Sequence, residues 1–428
     1  MNRLWIYSSL FLLISCSPRV KIKKVLTAAE EKYQDHIGLV VYDPESQQTL
    51  IDYQGNKYFT PASNTKIFTL FSSLNILGDS IPALRFVQRG DSLIFWGTGD
   101  PSFLYPLVSG NTITYDFLKN HPSSLYFSSS NFQTEQFGPG WAWDDYRYSY
   151  SPERSSFPLY GNIITVTHGA NGKVNASPEF FQHYISYASE KKSSLQLERS
   201  LGDNIITYYP SDDNPQRQYQ IPFHVNPELT ASLLSDTLKR EVTWVEIPIS
   251  PEANFLYSIP ADSLYKVMMQ ESDNFIAEQL LLMCADQLKD TLDSQMAIDY
   301  IKNNHLADLP DEPKWVDGSG LSRYNLFTPR SVVRLWEKIY QIVPQERLFD
   351  LLAVGGKSGT LKNGYHGDPP YVYGKTGTLS NNHCLSGFLI TKKSRLLIFS
   401  FMNSNFTVPS REIRAQMESV LKNLHESY

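Results

Sequence analysis

Apolar and polar positions alternate between strand-like and helix-like periods along the chain. Ile37-Gly38-Leu39-Val40-Val41-Tyr42-Asp43 reads as a strand, Pro44-Glu45-Ser46-Gln47 as a turn, and Thr49-Leu50-Ile51-Asp52-Tyr53 as its hairpin partner. Residues 17 to about 35 are polar and basic and predict a tether plus a first helix. A helical run, Ile67-Phe68-Thr69-Leu70-Phe71 to Leu74, opens at Pro61-Ala62-Ser63-Asn64-Thr65-Lys66. From about Ile81 to Ile249 short strands and turns dominate, beginning with Leu84–Val87, Leu93–Trp96 and the turn Gly97–Ser102. Within this part, Gly138–Tyr146 reads as an aromatic loop, and 188–220 as a polar subdomain surface or mobile loop. Helical periodicity resumes near Ile259, with Asp262 or Ser263 as a cap, and is clear in Phe275–Met283. Asp317-Gly318-Ser319-Gly320-Leu321-Ser322-Arg323 predicts a tight loop before a helix starting near Pro329. Leu385–Ile390 and Arg395–Phe401 flank a Lys392-Lys393-Ser394 turn and predict a hairpin, and a last helix is expected from about Pro409 to Leu424.

Composition narrows the picture. The 428 residues suffice for two or three domains, and 41% hydrophobic content supports a real core. With 38 basic against 44 acidic residues, net −6 and no basic stripe, a nucleic-acid partner is not expected. Met1-Asn2-Arg3, the apolar run Leu4–Ile14 and Ser15-Cys16-Ser17 have the layout of a secretory signal, too short to span a membrane. Leu13-Ile14-Ser15-Cys16 also resembles a bacterial lipobox, whose Cys becomes lipidated and is the first mature residue. The expectation is therefore residues 1–16 as signal and export to the periplasmic face of a bacterial membrane through a lipid on Cys16. Cys284 and Cys384 remain, either as a pair or as two buried free thiols.

Ser63 and Lys66 lie three residues apart, so on a helix they share a face. A hydroxyl beside an amine is what a serine nucleophile needs, provided the lysine is desolvated enough to lose its proton near neutral pH. The plain alternative is an N-cap Ser with an exposed Lys. Two further motifs follow in order, Ser272-Asp273-Asn274 before a helix and Lys375-Thr376-Gly377 before a hairpin strand.

Together the three motifs resemble those of the serine penicillin-recognising enzymes, the DD-peptidases and β-lactamases. Lys66 and Ser272 are 206 positions apart, a gap that resembles the inserted domains of the low-molecular-mass class C penicillin-binding proteins, the D-Ala-D-Ala carboxypeptidase/endopeptidases. Gly99–Ser102, Gly138-Pro139-Gly140-Trp141 with Asp144-Asp145, Asp317–Arg323 and Gly359-Thr360-Leu361 match the same family. The resemblance implies an α/β (α+β) DD-peptidase-like transpeptidase core over 20–80 and 250–428. Its antiparallel sheet is flanked by helices. A β-rich insertion occupies 81–249, with a small third domain at about 165–225. It implies acyl transfer to water on peptidoglycan peptides and reaction with β-lactams, with no cofactor and no metal. Ser63 would be the nucleophile, Lys66 its base, Ser272 the relay to the leaving amine, and Asn274 a partner of substrate and Lys66. Lys375 would supply positive potential, and Thr376 with Gly377 would line the substrate. The backbone N–H groups of Ser63 and Thr378 would form the oxyanion hole. In that family an Asp of the insertion meets the free amine of the peptide stem, and Asp145 is the candidate. Lys357-Ser358-Gly359-Thr360 competes for the third motif, but its polar continuation is loop-like, so Lys375 is preferred. Rival readings are a β-lactamase or esterase on the same core, and a lipid-anchored scaffold with an inert fold.

Overall fold

The computed structural model describes residues 18–108, 111–169, 173–194, 196–211 and 217–428. The predicted signal, lipobox and Cys16 lie outside the described residues. In chain order the elements begin with α1 (Pro18–Tyr33), β1 (His36–Asp43), β2 (Gln48–Tyr53), α2 (Lys66–Ile76), β3 (Ser80–Arg89) and β4 (Ser92–Gly97). Next come α3 (Ile113–Asn120), β5 (Ser124–Ser128), β6 (Ile163–His168), β7 (Val174–Ser177), β8 (Ile185–Tyr187), β9 (Gln196–Arg199), β10 (Ile206–Tyr209) and β11 (Arg217–Pro222). After α4 (Pro227–Leu238), β12 (Val242–Trp244) and β13 (Asn254–Pro260) follow α5 (Ala261–Gln270), α6 (Asn274–Lys289), α7 (Ser294–His305), α8 (Pro329–Ile342) and α9 (Gln345–Leu351). The chain ends with β14 (Ala353–Val354), β15 (Val372–Leu379), β16 (Asn382–Ile390), β17 (Leu396–Ser404) and α10 (Ser410–Ser427).

The two ends of the chain build one six-stranded sheet in the order β14-β15-β16-β17-β1-β2, antiparallel throughout. Its central strands are buried on both faces: β16 reads as buried along almost its whole length. That burial explains why they are continuous apolar runs rather than alternating ones. On one face lies a core of α2, α5, α6 and α8, with Phe68, Tyr265, Leu281 and Trp336 fully buried. On the other, α1 and α10 bury Leu26, Met417 and Leu421 against Leu39, Leu385 and Phe399. The residues between α2 and α5 form separate sheets. A five-stranded one runs β12-β5-β4-β3-β13, and two three-stranded ones run β8-β10-β9 and β11-β6-β7. They share their own core around Phe95, Phe127, Phe157 and Leu234.

Three local expectations change. The five-stranded sheet starts at Ser80 and takes its last strand from 254–260, beyond the expected edge at 249, because β13 returns to pair with β3. The polar stretch 188–220 is not a free loop: Gln196–Arg199 and Ile206–Tyr209 pair antiparallel, with Ile206 and Tyr208 buried beneath polar neighbours. Neither Asp262 nor Ser263 caps α5, which starts at Ala261 after Pro260. Asp262 instead accepts two hydrogen bonds from the Arg347 guanidinium at 2.7 and 2.8 Å. Cys284 and Cys384 are buried free thiols.

Candidate active site

Ser63 sits in a 3-10 turn, Ala62–Thr65, that feeds directly into α2 at Lys66. The expected helix start is thus one turn later, yet the three-residue spacing still holds both side chains on one side. Asn64 anchors the turn to the sheet. Its Nδ2 donates to Lys375 O at 3.0 Å, and its Oδ1 accepts from Ser386 Oγ at 2.6 Å. Ser386 Oγ in turn accepts from Trp336 Nε1 at 2.9 Å. Gly377 makes the approach possible. A Cβ there would stand 2.5 Å from Pro61 O and 2.9 Å from Ser63 N, both backbone atoms. β15 therefore lies against the serine turn closely enough that only glycine fits.

Lys66 is wholly buried. Its Nζ lies 3.1 Å from Ser63 Oγ, 2.6 Å from Asn274 Oδ1 and 2.7 Å from Ser319 O. A neutral amine donates two N–H bonds and accepts one. Asn274 and Ser319 are pure acceptors in these contacts, so they take the two N–H bonds and leave the lone pair facing Ser63 Oγ. Burial lowers the Lys66 pKa to about 8; the nearby carboxylates of Asp273, Asp317 and Glu278 pull the other way.

Ser272 holds a left-handed backbone, φ 65°, at the turn between α5 and α6. Such a conformation in a residue with a side chain marks a local structure enforced by its surroundings. Its Oγ accepts from Lys375 Nζ at 2.8 Å, and Lys375 Nζ also donates to Thr376 O at 2.7 Å. Lys375 is fully buried and, among the described residues, has no carboxylate partner. Burial, then the neighbouring Lys66, holds its pKa well below the ordinary value. Asp273 caps α6, accepting from Ile276 N at 2.7 Å. Three separated stretches thus converge: Lys66 joins Ser63 to Asn274, Lys375 joins Ser272, and Asn64 ties the serine turn to the Lys375 backbone.

Other residues complete the site, some from the 317–323 and 138–141 stretches and some outside any motif. The Asp317 carboxylate accepts from Gly320 N (2.8 Å), Ser322 N (2.7 Å), Asn325 Nδ2 (2.7 Å) and Trp141 Nε1 (3.0 Å). This folds the 317–323 loop so that Ser319 O points at Lys66. Glu278 Oε1 accepts from Ser319 N at 2.7 Å and fixes the same peptide from below. Burial, then the Asp317 charge, raises the Glu278 pKa to about 7, against the opposing pull of Arg154. Arg154 Nη1 lies 3.4 Å from Glu278 Oε2, both groups being 1% exposed. From the insertion, Tyr105 OH donates to Asp273 Oδ2 at 2.5 Å, and Tyr150 O accepts from Asn274 Nδ2 at 2.8 Å. Of the residues outside the quoted stretches, Glu278 carried a legible signal, a charged residue inside an otherwise apolar helical run.

The remaining expected residues take these places. Thr376 and Thr378 lie on β15 beside the cleft. Thr376 Oγ1 donates to Thr360 Oγ1 at 2.7 Å, and Thr378 Oγ1 lies 2.8 Å from His383 Nδ1. The competing Lys357 is exposed on a turn, while Thr360 of the same motif reaches the site through Thr376. Asp145 is half-buried in the 143–147 turn and accepts from Tyr150 OH at 2.7 Å. It therefore shares a loop with the Asn274 contact but does not touch the serine.

A sheet built from both chain ends, faced by helices, with a serine–lysine pair where α2 meets β15, defines a serine acyl-transfer enzyme of the penicillin-recognising class. The chain belongs to the D-Ala-D-Ala carboxypeptidase 3 (S13) family, whose model matches residues 19–424. It is similar to a D-alanyl-D-alanine carboxypeptidase, DacB, of Haemophilus influenzae, 25% identical over 91% of this chain and 90% of that one. A D-alanyl-D-alanine carboxypeptidase of Actinomadura sp. is also 25% identical, over 87% of this chain and 78% of its own. The crystal structure of penicillin binding protein 4 from Haemophilus influenzae superimposes with a TM-score of 0.74 at 21% identity, covering 94% of this chain and 98% of that one. A predatory peptidoglycan endopeptidase of Bdellovibrio bacteriovorus shares the fold at a TM-score of 0.51 and 16% identity, over 91% and 93% of the two chains.

Proposed function

We infer that the chain is a penicillin-binding serine D-Ala-D-Ala peptidase acting on peptidoglycan stem peptides. One observation carries this: a fully buried Lys66 whose pKa is lowered to about 8, with Nζ 3.1 Å from Ser63 Oγ. Ser63 Oγ attacks the carbonyl carbon of the D-Ala-D-Ala bond while Lys66 takes its proton. The backbone N–H groups of Ser63 and Thr378 hold the oxyanion; removing such a donor typically costs about 3 kcal/mol in the barrier. Collapse breaks the C–N bond, and Ser272 passes a proton to the departing amine. Water then adds across the acyl–Oγ bond and restores the Ser63 hydroxyl. The substrate carboxylate meets Thr376 and supplies the counter-charge that buried Lys375 lacks. Asp145, on the loop that reaches Asn274, meets the amine of the stem.

The N-terminal pattern supports an exported lipoprotein anchored through Cys16 and working at the periplasmic face of the membrane. The test of the catalytic reading is release of D-Ala from an acyl-D-Ala-D-Ala peptide. The wild type is expected to release it and Ser63→Ala to release none. Equal release by both would remove Ser63 from the mechanism. Fast turnover of nitrocefin without peptide cleavage would instead assign a β-lactamase.

A further inference from the structure

The opening turns of α1, residues 18–25, carry Arg19, Lys21, Lys23 and Lys24 and no acid. All four are exposed, and none makes an ion pair or a side-chain hydrogen bond among the described residues. Nothing within the helix accounts for them. Cations in a first turn stand against the positive end of the helix dipole. The two acids of α1 lie at its far end, and Glu30 is turned inward, accepting from Ile37 N at 2.8 Å and Gln54 Nε2 at 2.6 Å. Nor do the cations belong to a general basic coat, since the chain as a whole carries net −6. The apolar positions of the helix divide in two. Ile22, Leu26, Ala29 and Tyr33 recur at helical spacing and are buried against the sheet. Val20 and Val25 lie outside that stripe, 45% and 44% exposed among the lysines. Unpaired cations interleaved with exposed apolar side chains are the pattern of a helix face that lies in a membrane interface.

We propose that this face of α1 is a docking surface for an anionic lipid bilayer, and that it orients the enzyme on the membrane. The two valines favour a bilayer over a soluble polyanion, because a polyanion leaves them in water and an interface covers them. Position agrees. α1 begins two residues after Cys16, a stretch of chain that spans at most about 7 Å, so a lipid on Cys16 brings these cations to the headgroups. The proposal rests on the exported-lipoprotein reading above only for that tether; the basic and apolar face stands without it. No helix among the described residues is long and apolar enough to cross a membrane, so the contact is with the bilayer surface. α1 covers one face of the six-stranded sheet, and α2, which follows the Ser63 turn, covers the other. Seating α1 on the bilayer therefore turns the serine side of the sheet away from the lipid, where a polymeric substrate has room.

Co-sedimentation with vesicles tests this on the mature chain, residues 16–428, prepared without lipid. The wild type is expected to favour vesicles of equal parts phosphatidylglycerol and phosphatidylcholine over phosphatidylcholine alone by about tenfold or more in about 0.05 M salt, and to lose most of that preference in about 0.5 M salt. Lys21→Glu/Lys23→Glu/Lys24→Glu should abolish the preference while benzylpenicillin adduct formation keeps its wild-type rate, which shows fold and active site intact. Val20→Ser/Val25→Ser should weaken vesicle binding by about threefold or more and leave binding to heparin, a soluble polyanion, unchanged. Equal partition of the wild type onto the two vesicles, or a triple variant that partitions like the wild type, would overturn the docking surface. Heparin bound more tightly than vesicles, with the valine variant matching the wild type on both, would overturn it in favour of a soluble polyanion. The lipoprotein reading is tested separately, by the intact mass of the chain extracted from cell membranes: an unmodified Cys16 would remove the tether and leave the vesicle result standing.

Discussion

Lys66 concentrates the chemistry at the scale of a single residue. Its folded-state pKa, about 8, lies below the ordinary 10.5, because burial disfavours the ammonium. The stability cost of burying that charge is therefore present below about pH 8 and fades as pH rises toward 10.5. Only the neutral amine accepts the Ser63 proton, so the acylation rate should fall about tenfold for each pH unit below 8 and level off above it. A stopped-flow pH series with a chromogenic β-lactam checks this; a profile flat down to pH 6 would exclude Lys66 as the base. Ser272 makes a second case. Its hydroxyl joins Lys375 to the cleft, so Ser272→Ala should slow peptide acylation by about 10²-fold and leave thermal stability little changed. Kinetics beside a melting curve separate the two effects.

At the scale of elements, the meeting of β15 with the serine turn decides the geometry. Gly377→Ala places a methyl 2.5 Å from Pro61 O, so strand and turn must separate. A displacement of the nucleophile by around 1 Å costs on the order of 10²-fold in rate. The variant is expected to fold and to acylate about that much more slowly, measured by adduct formation over time. The same contacts show what was legible in the sequence. Ser63, Lys66, Ser272, Asn274 and Lys375 could be read because each belongs to a short motif in a recognisable local setting. Glu278 was harder, since α6 is buried from Phe275 to Asp286, and its polar member is explained only by a backbone N–H 41 positions away at Ser319. Thr360 was quoted in the Gly359-Thr360-Leu361 stretch without a role, and only the pairing of β15 with β14 brings its turn back to Thr376. The strands between 196 and 222 were obscured because their outward positions are polar and their buried ones few.

At the scale of the whole molecule, the insertion is part of the active site rather than an appendage. Tyr105, Trp141, Tyr150 and Arg154 all come from it and contact Asp273, Asp317, Asn274 and Glu278 of the sheet-and-helix core. Arg154 also donates to Glu135 O at 2.8 Å and Phe137 O at 3.1 Å, joining its own loop to the core helix. Removing it leaves Glu278 buried beside Asp317 without a counter-charge. Arg154→Ala should cost about 3–5 kcal/mol in unfolding free energy, measured by urea denaturation followed by tryptophan fluorescence. A loss within error of zero would mean that Glu278 is held neutral and the ion pair contributes little. The long-range character of these contacts explains why the domain edges were read only approximately: β13 pairs with β3 across some 170 positions of intervening chain, and no local pattern records that.

The central claim, that Ser63 is acylated with Lys66 as its base, is tested most directly by intact-protein mass spectrometry after incubation with benzylpenicillin. The account predicts a stable adduct of one drug mass on the wild type and none on Ser63→Ala. An adduct of equal yield on both proteins, or an unmodified wild type with the drug intact, would contradict it.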